Sequence, residues 1–190
     1  MAQTAEPAVT PVRGATLWPI SIEAYHVLGE AGVIPKNTEL LYGLVYTRMP
    51  ISPFHAYLLS ILLEITRNAA GSLYVRSEMP LTCADSEPQP DISVVKGSPH
   101  EYRKNHPRSA ELVIEVCVTS HDYDRSKMRA YALAGVKECW LTLGPEKEIE
   151  IYREPLNGQY SKKEVYTLGQ TAESRSVPSF SVNLSKLFAE

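Results

Sequence analysis

The chain has 190 residues, of which 44% are hydrophobic and 22% are charged, so its length and composition fit one globular domain with a sizeable core. Its net charge of −3 excludes a chain that is basic throughout, and any binding to nucleic acid must therefore use a local patch. Residues 1–16 are rich in Ala, Thr and Pro and are predicted to form a flexible tail, which leaves 17–190 as the single domain.

Hydrophobic periodicity predicts an α/β protein. In chain order the predicted elements are a helix after Ser21, a hairpin that turns at Gly43 within 39–48, a helix from Ser52-Pro53 to Gly71, strands at 73–76, 79–81, 91–95 and 112–118, a helix over 123–134, a strand at 138–143, a hairpin of 149–153 and 160–166 around Asn157-Gly158, and a short helix over 184–188. This order predicts a mixed β-sheet flanked by helices, with extra strands at the C-terminus.

Cysteine usage and hydropathy predict a cytoplasmic protein without a membrane segment. Cys83, Cys117 and Cys139 are widely spaced and form no CxxC motif, a pattern typical of reduced, mostly buried thiols. The first residues lack the cationic and apolar regions of a signal peptide, and no apolar run reaches the roughly 18 residues that a membrane helix needs. The motifs GxGxxG and GxxxxGK[ST] are also missing from the sequence, so no organic cofactor is expected.

Two acidic residues stand in neighbouring predicted strands. Asp91 opens one strand and Glu115 lies in the next, while Lys127 lies in the helix that follows. Two carboxylates with the carbonyl oxygen of Val116 could hold Mg²⁺, which prefers oxygen ligands and keeps several waters. A lysine beside them could orient or help to deprotonate a water and stabilise the developing charge. This set of residues predicts hydrolysis of a phosphodiester. The alternative is that Asp91 only marks the start of a strand and that Glu115 only lies at a sheet edge.

Further candidates surround this set. Glu39 could reach the same metal or order its waters. Segment 96–108 has four cationic residues against one acidic residue, a net charge of +3, and could contact a nucleic-acid backbone. The candidates for nucleic-acid contact are His55, Lys96, Arg103, Lys104 and Arg125. For each of them the alternative is an ordinary surface residue.

Several motifs occur in a familiar order. They are ELLYG from Glu39, MPISPFH from Met49, PQPDISVVKG from Pro88, AELVIEVCVTS from Ala110, YDRSK from Tyr123 and YALAGVKECWL from Tyr131. Together they resemble the Uma-type restriction endonuclease family, which belongs to the PD-(D/E)xK nuclease superfamily. The resemblance extends over most of the chain, from Ser21 to Phe188.

The resemblance implies a restriction-endonuclease-like fold and hydrolysis of DNA that depends on Mg²⁺, for which Mn²⁺ can substitute. The two acids of the superfamily match Asp91 and Glu115, and Glu39 matches an upstream glutamate of the family. The superfamily lysine usually lies two residues after the second acid, where this chain has Cys117. In the family the lysine lies in the following helix, which here corresponds to Lys127.

Two classes of function remain open at this point. The first is a Mg²⁺-dependent DNA endonuclease, for which a homodimer would place two sites on two strands. The second is a non-catalytic nucleic-acid-binding or protein-interaction domain, because a nuclease fold alone does not prove activity. Tyr42 and Gln89 stand where the family often has acids, which reduces negative charge near the site. Metal binding separates the two classes, and hydrolysis of another phosphate ester would use the same residues.

Overall fold

The computed structural model describes residues 16–119 and 121–189, so the predicted flexible tail lies outside the described residues except for Thr16. In chain order the elements are α1 (Ile22–Glu30), β1 (Thr38–Leu41), β2 (Leu44–Thr47), α2 (Pro53–Ala69), β3 (Tyr74–Ser77), β4 (Ile92–Val95), β5 (Leu112–Cys117), α3 (His121–Ser126), α4 (Met128–Leu133), β6 (Glu138–Leu143), β7 (Glu148–Leu156), β8 (Gln159–Tyr166), β9 (Thr171–Glu173), β10 (Ser181–Asn183) and α5 (Leu184–Leu187).

A six-stranded mixed sheet organises the fold, with the strand order β3-β4-β5-β6-β7-β8. Strands β5 and β6 are parallel, and all other neighbours in this sheet are antiparallel. Every residue of β5 is buried, as expected for a central strand covered on both faces. Two small antiparallel pairs, β1-β2 and β9-β10, complete the β-structure. The predicted mixed α/β architecture with extra C-terminal strands is confirmed.

Helices cover the two faces of the sheet. Ile114 packs with Leu62 of α2 in one core cluster, whereas Val113 packs with Tyr131 of α4 in the other. Because side chains alternate across a strand, Glu115 shares the α4 face with Val113. The alternation of side chains along β5 therefore places Glu115 on the face of the sheet that α4 covers.

Local signals account for the helix start and the two predicted hairpins. The Ser52 side chain accepts a hydrogen bond from the His55 N–H at 3.1 Å, and Pro53 follows at the first helical position of α2. Gly43 (φ +75°) and Gly158 (φ +77°) occupy the turns of the β1-β2 and β7-β8 hairpins. Both hairpins were predicted from turn chemistry and are confirmed.

The predicted strand at 79–81 is wrong. Strand β3 ends at Ser77 because Glu78 adopts φ +52° and Pro80 has no N–H to donate to a ladder. Leu81 instead donates its N–H to the Pro88 carbonyl at 2.9 Å. The segment is therefore an irregular connection.

The predicted single helix over 123–134 is also wrong in one respect. Two short helices, α3 and α4, meet at Lys127, which donates its N–H to the Asp124 carbonyl at 3.2 Å. That bond spans three residues, as in a 3₁₀ turn. Lys127 thus lies at a junction rather than inside a continuous helix.

Two global expectations can be compared with the structure. All three cysteines are buried and unpaired, as expected for reduced thiols. Within 16–119 and 121–189, no helix has the length and apolar character needed to cross a membrane.

Candidate active site

Asp91 and Glu115 face each other where β4 and β5 part. The ladder pairs Ile92 with Ile114, and one further step of the antiparallel register brings Asp91 opposite Glu115. Directly opposed residues of an antiparallel pair lie on the same face. The Asp91 N–H donates to Glu115 Oε2 at 3.3 Å, and the Val116 N–H donates to Asp91 Oδ2 at 2.7 Å. Strand register thus assembles the predicted pair of carboxylates.

Lys127 places its ammonium among three carboxylates. Its Nζ lies 3.2 Å from Glu39 Oε1, 3.3 Å from Glu115 Oε1 and 3.4 Å from Asp124 Oδ1. The lysine side chain is only 6% exposed, and its Nζ lies 5.1 Å from the centre of the Tyr123 ring. The structure therefore brings all four predicted catalytic residues into one buried cluster.

Glu39 uses both of its oxygens inside the protein. Oε1 accepts a hydrogen bond from the Tyr123 hydroxyl at 2.7 Å and lies beside Lys127, while Oε2 accepts from the Gln89 N–H at 2.9 Å. Through these contacts the Glu39 carboxylate can hold the Lys127 ammonium and the backbone at Gln89, two residues before Asp91, in position.

Three neighbours of the site were not among the predicted site residues. The Tyr131 hydroxyl donates to Glu115 Oε1 at 2.6 Å, and Tyr131 is fully buried. Asp124 and Tyr131 lie three residues before and four residues after Lys127, so helical spacing predicts that they lie beside it, although it does not predict a role for them. Tyr123, which donates to Glu39, carries no comparable signal in the sequence.

A cleft of about 90 Å³ opens between these acids and the start of α2, with room for several water molecules. His55 lines it, with Nε2 3.1 Å from Asp91 Oδ1. Burial acts to lower the pKa of His55, but the hydrogen bond to Asp91 and its charge outweigh burial and raise that pKa. Arg48 also lines the cleft and donates to the Gln89 side chain at 2.9 Å; it was not predicted.

Comparison with known proteins identifies the family. The model of the Uma2 family, described as putative restriction endonuclease, matches residues 33–185. The chain belongs to the Uma2 family. A solved structure described as a putative nuclease belonging to DUF820 from Anabaena variabilis aligns with a TM-score of 0.73 and 18% identity, covering 85% of this chain and 97% of that chain. At this identity the likeness shows a shared nuclease fold. No curated protein sequence matches the chain.

In the superfamily that the sequence resembles, a lysine usually stands two residues after the second acid. This chain has Cys117 at that position. Cys117 is fully buried, and burial together with the nearby Asp124 charge raises the pKa of its thiol. A neutral thiol supplies no positive charge to the site. The ammonium of Lys127 reaches Glu115 from the α3-α4 junction instead.

Charges within the cluster shift the pKa values of Glu115 and Lys127. Burial raises the pKa of Glu115 to about 8; Lys127 opposes this rise, while Asp91, Asp124 and Glu39 add to it. Burial alone would lower the pKa of Lys127, but the surrounding carboxylates raise it well above its ordinary value. Three acids therefore share one lysine ammonium, while the fourth, Asp91, lies beside His55.

The donor atoms at the acid pair fit a hard divalent cation. In the part of the chain that the structure describes, no three His, Cys, Asp or Glu side chains are arranged as a metal site. Asp91 and Glu115 offer two carboxylates, a number with which Mg²⁺ commonly binds when water and phosphate complete its shell. The Val116 N–H points to Asp91, and the carbonyl of an extended residue points to the same side as its N–H. The Val116 carbonyl therefore faces the same side of β5 as the Asp91 carboxylate.

The other predicted nucleic-acid contacts do not line this cleft. Lys96 is exposed, with Nζ 3.8 Å from Glu111 Oε1, and Arg125 Nη2 lies 2.8 Å from Glu150 Oε1. Arg103 and Lys104 line a separate cavity. His55 alone of the five candidates lies at the acids, and contact of the others with DNA stays a prediction.

Proposed function

We propose that this chain is a divalent-metal-dependent endonuclease that hydrolyses phosphodiester bonds of DNA. The observation that carries the proposal is the opposition of Asp91 and Glu115 across two strands, with the Lys127 ammonium 3.3 Å from Glu115. Membership of the Uma2 family and the shared nuclease fold support a nucleic-acid substrate.

In this proposal Asp91, Glu115 and the Val116 carbonyl hold Mg²⁺ or Mn²⁺. When bound, the metal lowers the pKa of a coordinated water and neutralises charge on the phosphate oxygens. Asp91 is kept in place by the N–H of Val116, and Glu115 by the N–H of Asp91 and the hydroxyl of Tyr131. These contacts hold the carboxylates in a fixed orientation.

Lys127 acts as a hydrogen-bond donor rather than as a base. Its raised pKa keeps it protonated at neutral pH, so it orients the attacking water or steadies the phosphate. Glu39 and Tyr123 are positioning residues, because Glu39 contacts the ammonium and Tyr123 contacts Glu39. His55 and Arg48, both at the cleft, are placed to contact phosphate oxygens.

Cleavage of supercoiled plasmid in Mg²⁺ or Mn²⁺ tests the proposal. The variants are Asp91→Asn and Lys127→Met, which keep side-chain size, and the control is Lys162→Met at an exposed position on β8. We expect the unaltered chain and the control to nick or linearise the plasmid, and chelation of the metal to stop them. We expect both site variants to lose at least about 10²-fold in rate. Cutting that survives in both site variants, or no cutting by the unaltered chain with either metal, contradicts the proposal.

The alternative, a binding module without catalysis, predicts no divalent metal at Asp91 and Glu115. Burial of several acids around one lysine argues against it, since buried charge is costly and a binding module has no need of it. Tight Mg²⁺ binding that depends on Asp91 would therefore exclude the alternative.

A further inference from the structure

A second cavity, far larger than the acidic cleft, lies between α1 and residues 102–108, with a volume of about 1060 Å³. Thr38 faces this cavity, whereas the next residue, Glu39, faces the cleft. Successive side chains of a strand point to opposite sides. The thickness of β1 therefore separates the two openings.

Positive charge is concentrated at this cavity. The cationic and histidine side chains that line it are Lys36, Arg103, Lys104, Arg108, His26 and His106, against the acids Glu23 and Glu30. The chain as a whole carries a net charge of −3. A cationic cavity on an acidic protein favours an anionic ligand at that place.

The four lysine and arginine side chains of the cavity form no close ion pair, although Arg108 interacts with the Glu23 carboxylate at longer range. Among the described residues, no carboxylate lies within 4.0 Å of any of them. Several cations elsewhere on the surface are paired, among them Lys137 with Glu111, and Arg125 and Lys163 with Glu150. The cavity therefore gathers four cations that such ion pairs do not neutralise.

The wall that carries these cations is held in place. The Tyr102 hydroxyl donates to the Lys96 carbonyl at 2.6 Å, and the Tyr102 ring stacks on Tyr74 with centroids 6.4 Å apart. The Thr82 N–H donates to the Pro107 carbonyl at 2.9 Å. A wall fixed before binding reduces the entropy lost when a ligand is bound.

We propose that this cavity binds the phosphate backbone of the DNA strand that leaves the acidic cleft across β1. The identity of the ligand as DNA rests on the proposed function. Pockets for small molecules have volumes of roughly 300–1,000 Å³ and mostly apolar walls. This cavity of about 1060 Å³ is bordered by unpaired charges, which suits a chain of phosphates. Such contacts position DNA without reading its sequence.

The test is DNA binding by the whole chain without added divalent metal, so that no strand is cut. Fluorescence anisotropy of a labelled duplex is measured from about 50 to 200 mM salt. The variant is Arg103→Gln with Lys104→Gln and Arg108→Gln, and the matched control is Arg67→Gln with Lys162→Gln and Lys186→Gln, three cations outside both openings. Five of the six substituted residues lie on loops, an edge strand or the last helix, and Arg67 lies in α2. Thermal unfolding verifies that both variants are folded.

We expect the cavity variant to bind at least about tenfold more weakly at low salt, and its slope of log affinity against log salt to fall by about 2 to 3. The control keeps the affinity and slope of the unaltered chain. Equal losses in variant and control, or no loss in either, overturn the inference.

This result is independent of catalysis. If the unaltered chain binds DNA through the cavity but never cuts plasmid in Mg²⁺ or Mn²⁺, the proposed nuclease activity fails while the cavity assignment stands. If it cuts plasmid and the cavity variant binds normally, the cavity assignment alone fails.

Discussion

At the residue scale, the defining feature is one lysine that serves several buried acids. Lys127 Nζ lies within 3.4 Å of an oxygen of Glu39, Glu115 and Asp124. Removing one partner of a buried charge network leaves the others uncompensated, at a cost of about 3–5 kcal/mol. The lysine is therefore expected to contribute to stability as well as to chemistry.

Lys127→Met is expected to lower the free energy of unfolding by about 3 kcal/mol above pH 8, where the neighbouring carboxylates are ionised. Urea denaturation measures the change. Lys162→Met, which removes an exposed lysine paired with Glu154, is the control and should change it by less than about 1 kcal/mol. Equal effects of the two substitutions would show that the buried ion pairs contribute nothing.

Glu115 makes stability depend on pH. Its pKa is about 8 in the folded chain against an ordinary 4.5, so the folded state holds the proton over a wider range than the unfolded state. The stabilisation is full below about pH 4.5 and is lost as pH rises through about 8. The pKa of His55 is also raised, so its contribution to stability is likewise lost as pH rises above the ordinary pKa of a histidine.

The metal-free protein should therefore melt at a lower temperature at pH 9 than at pH 6. Glu115→Gln should flatten this dependence, because the amide does not titrate. Thermal unfolding monitored by circular dichroism across this range provides the measurement. A dependence that is as steep in Glu115→Gln as in the unaltered chain would assign it to other groups.

Above pH 8, where Glu115 is ionised, Tyr131→Phe is expected to destabilise the fold by about 1.5–3 kcal/mol, because a buried hydrogen bond to a charged group is lost. The hydroxyl donates to Glu115 at 2.6 Å, so plasmid cleavage should also fall. Tyr57→Phe is the control, since Tyr57 is 46% exposed. Unchanged stability and unchanged cleavage in Tyr131→Phe would show that Glu115 is positioned without it.

At the scale of elements, the hairpin of β1 and β2 carries Glu39 into the site. Its turn needs glycine at position 43, where φ is +75° and an added Cβ would lie 2.3 Å from Pro19 Cβ. A position that is both left-handed and crowded tolerates no side chain without strain. The turn therefore also fixes the segment before α1 against the hairpin.

Gly43→Ala is expected to cost at least about 2 kcal/mol of unfolding free energy. Gly29→Ala is a matched control, because Gly29 is helical and nothing lies within 4 Å of its added Cβ; it should be neutral or stabilising by up to about 1 kcal/mol. Chemical denaturation compares the two. A Gly43→Ala chain as stable as Gly29→Ala would mean that the turn can rearrange.

Sequence patterns anticipated the elements whose signals are local. Turn residues at Gly43 and Asn157-Gly158 and the cap at Ser52 predicted hairpins and a helix start that the structure has. Of the two errors, the one at 79–81 had a local signal, because Pro80 has no N–H to donate to a ladder. The break at Lys127 coincides with its contacts to Glu39 and Glu115, which lie far from it in sequence and which periodicity alone does not report.

The same distinction applies to the site. The sequence pattern placed Asp91 and Glu115 on neighbouring strands, but it did not predict the antiparallel register that sets them opposite each other. The hydrogen bond from Tyr123 to Glu39 joins residues 84 positions apart, and no local signal encodes it. The placement of segment 96–108 beside α1, rather than at the acids, depends on the same kind of long-range packing.

At the scale of the whole molecule, the predicted homodimer remains a prediction. Strand β8 forms one edge of the main sheet and carries Lys162 and Lys163, which pair with Glu154 and Glu150. Lysines on an edge strand discourage edge-to-edge pairing. These lysines therefore disfavour a dimer through this edge, and light scattering of the purified chain measures its mass directly.

The whole-molecule account depends on one claim, that Asp91 and Glu115 form a divalent metal centre. Calorimetric titration of the metal-free protein with Mg²⁺ above pH 8 tests it, with Asp91→Asn and Glu115→Gln as variants and Lys162→Met as the control. We expect binding by the unaltered chain and the control, loss of binding in both variants, and weaker binding with proton release below pH 8, because Glu115 must give up its proton. An unaltered chain that binds no Mg²⁺, or variants that bind it equally well, would contradict the account.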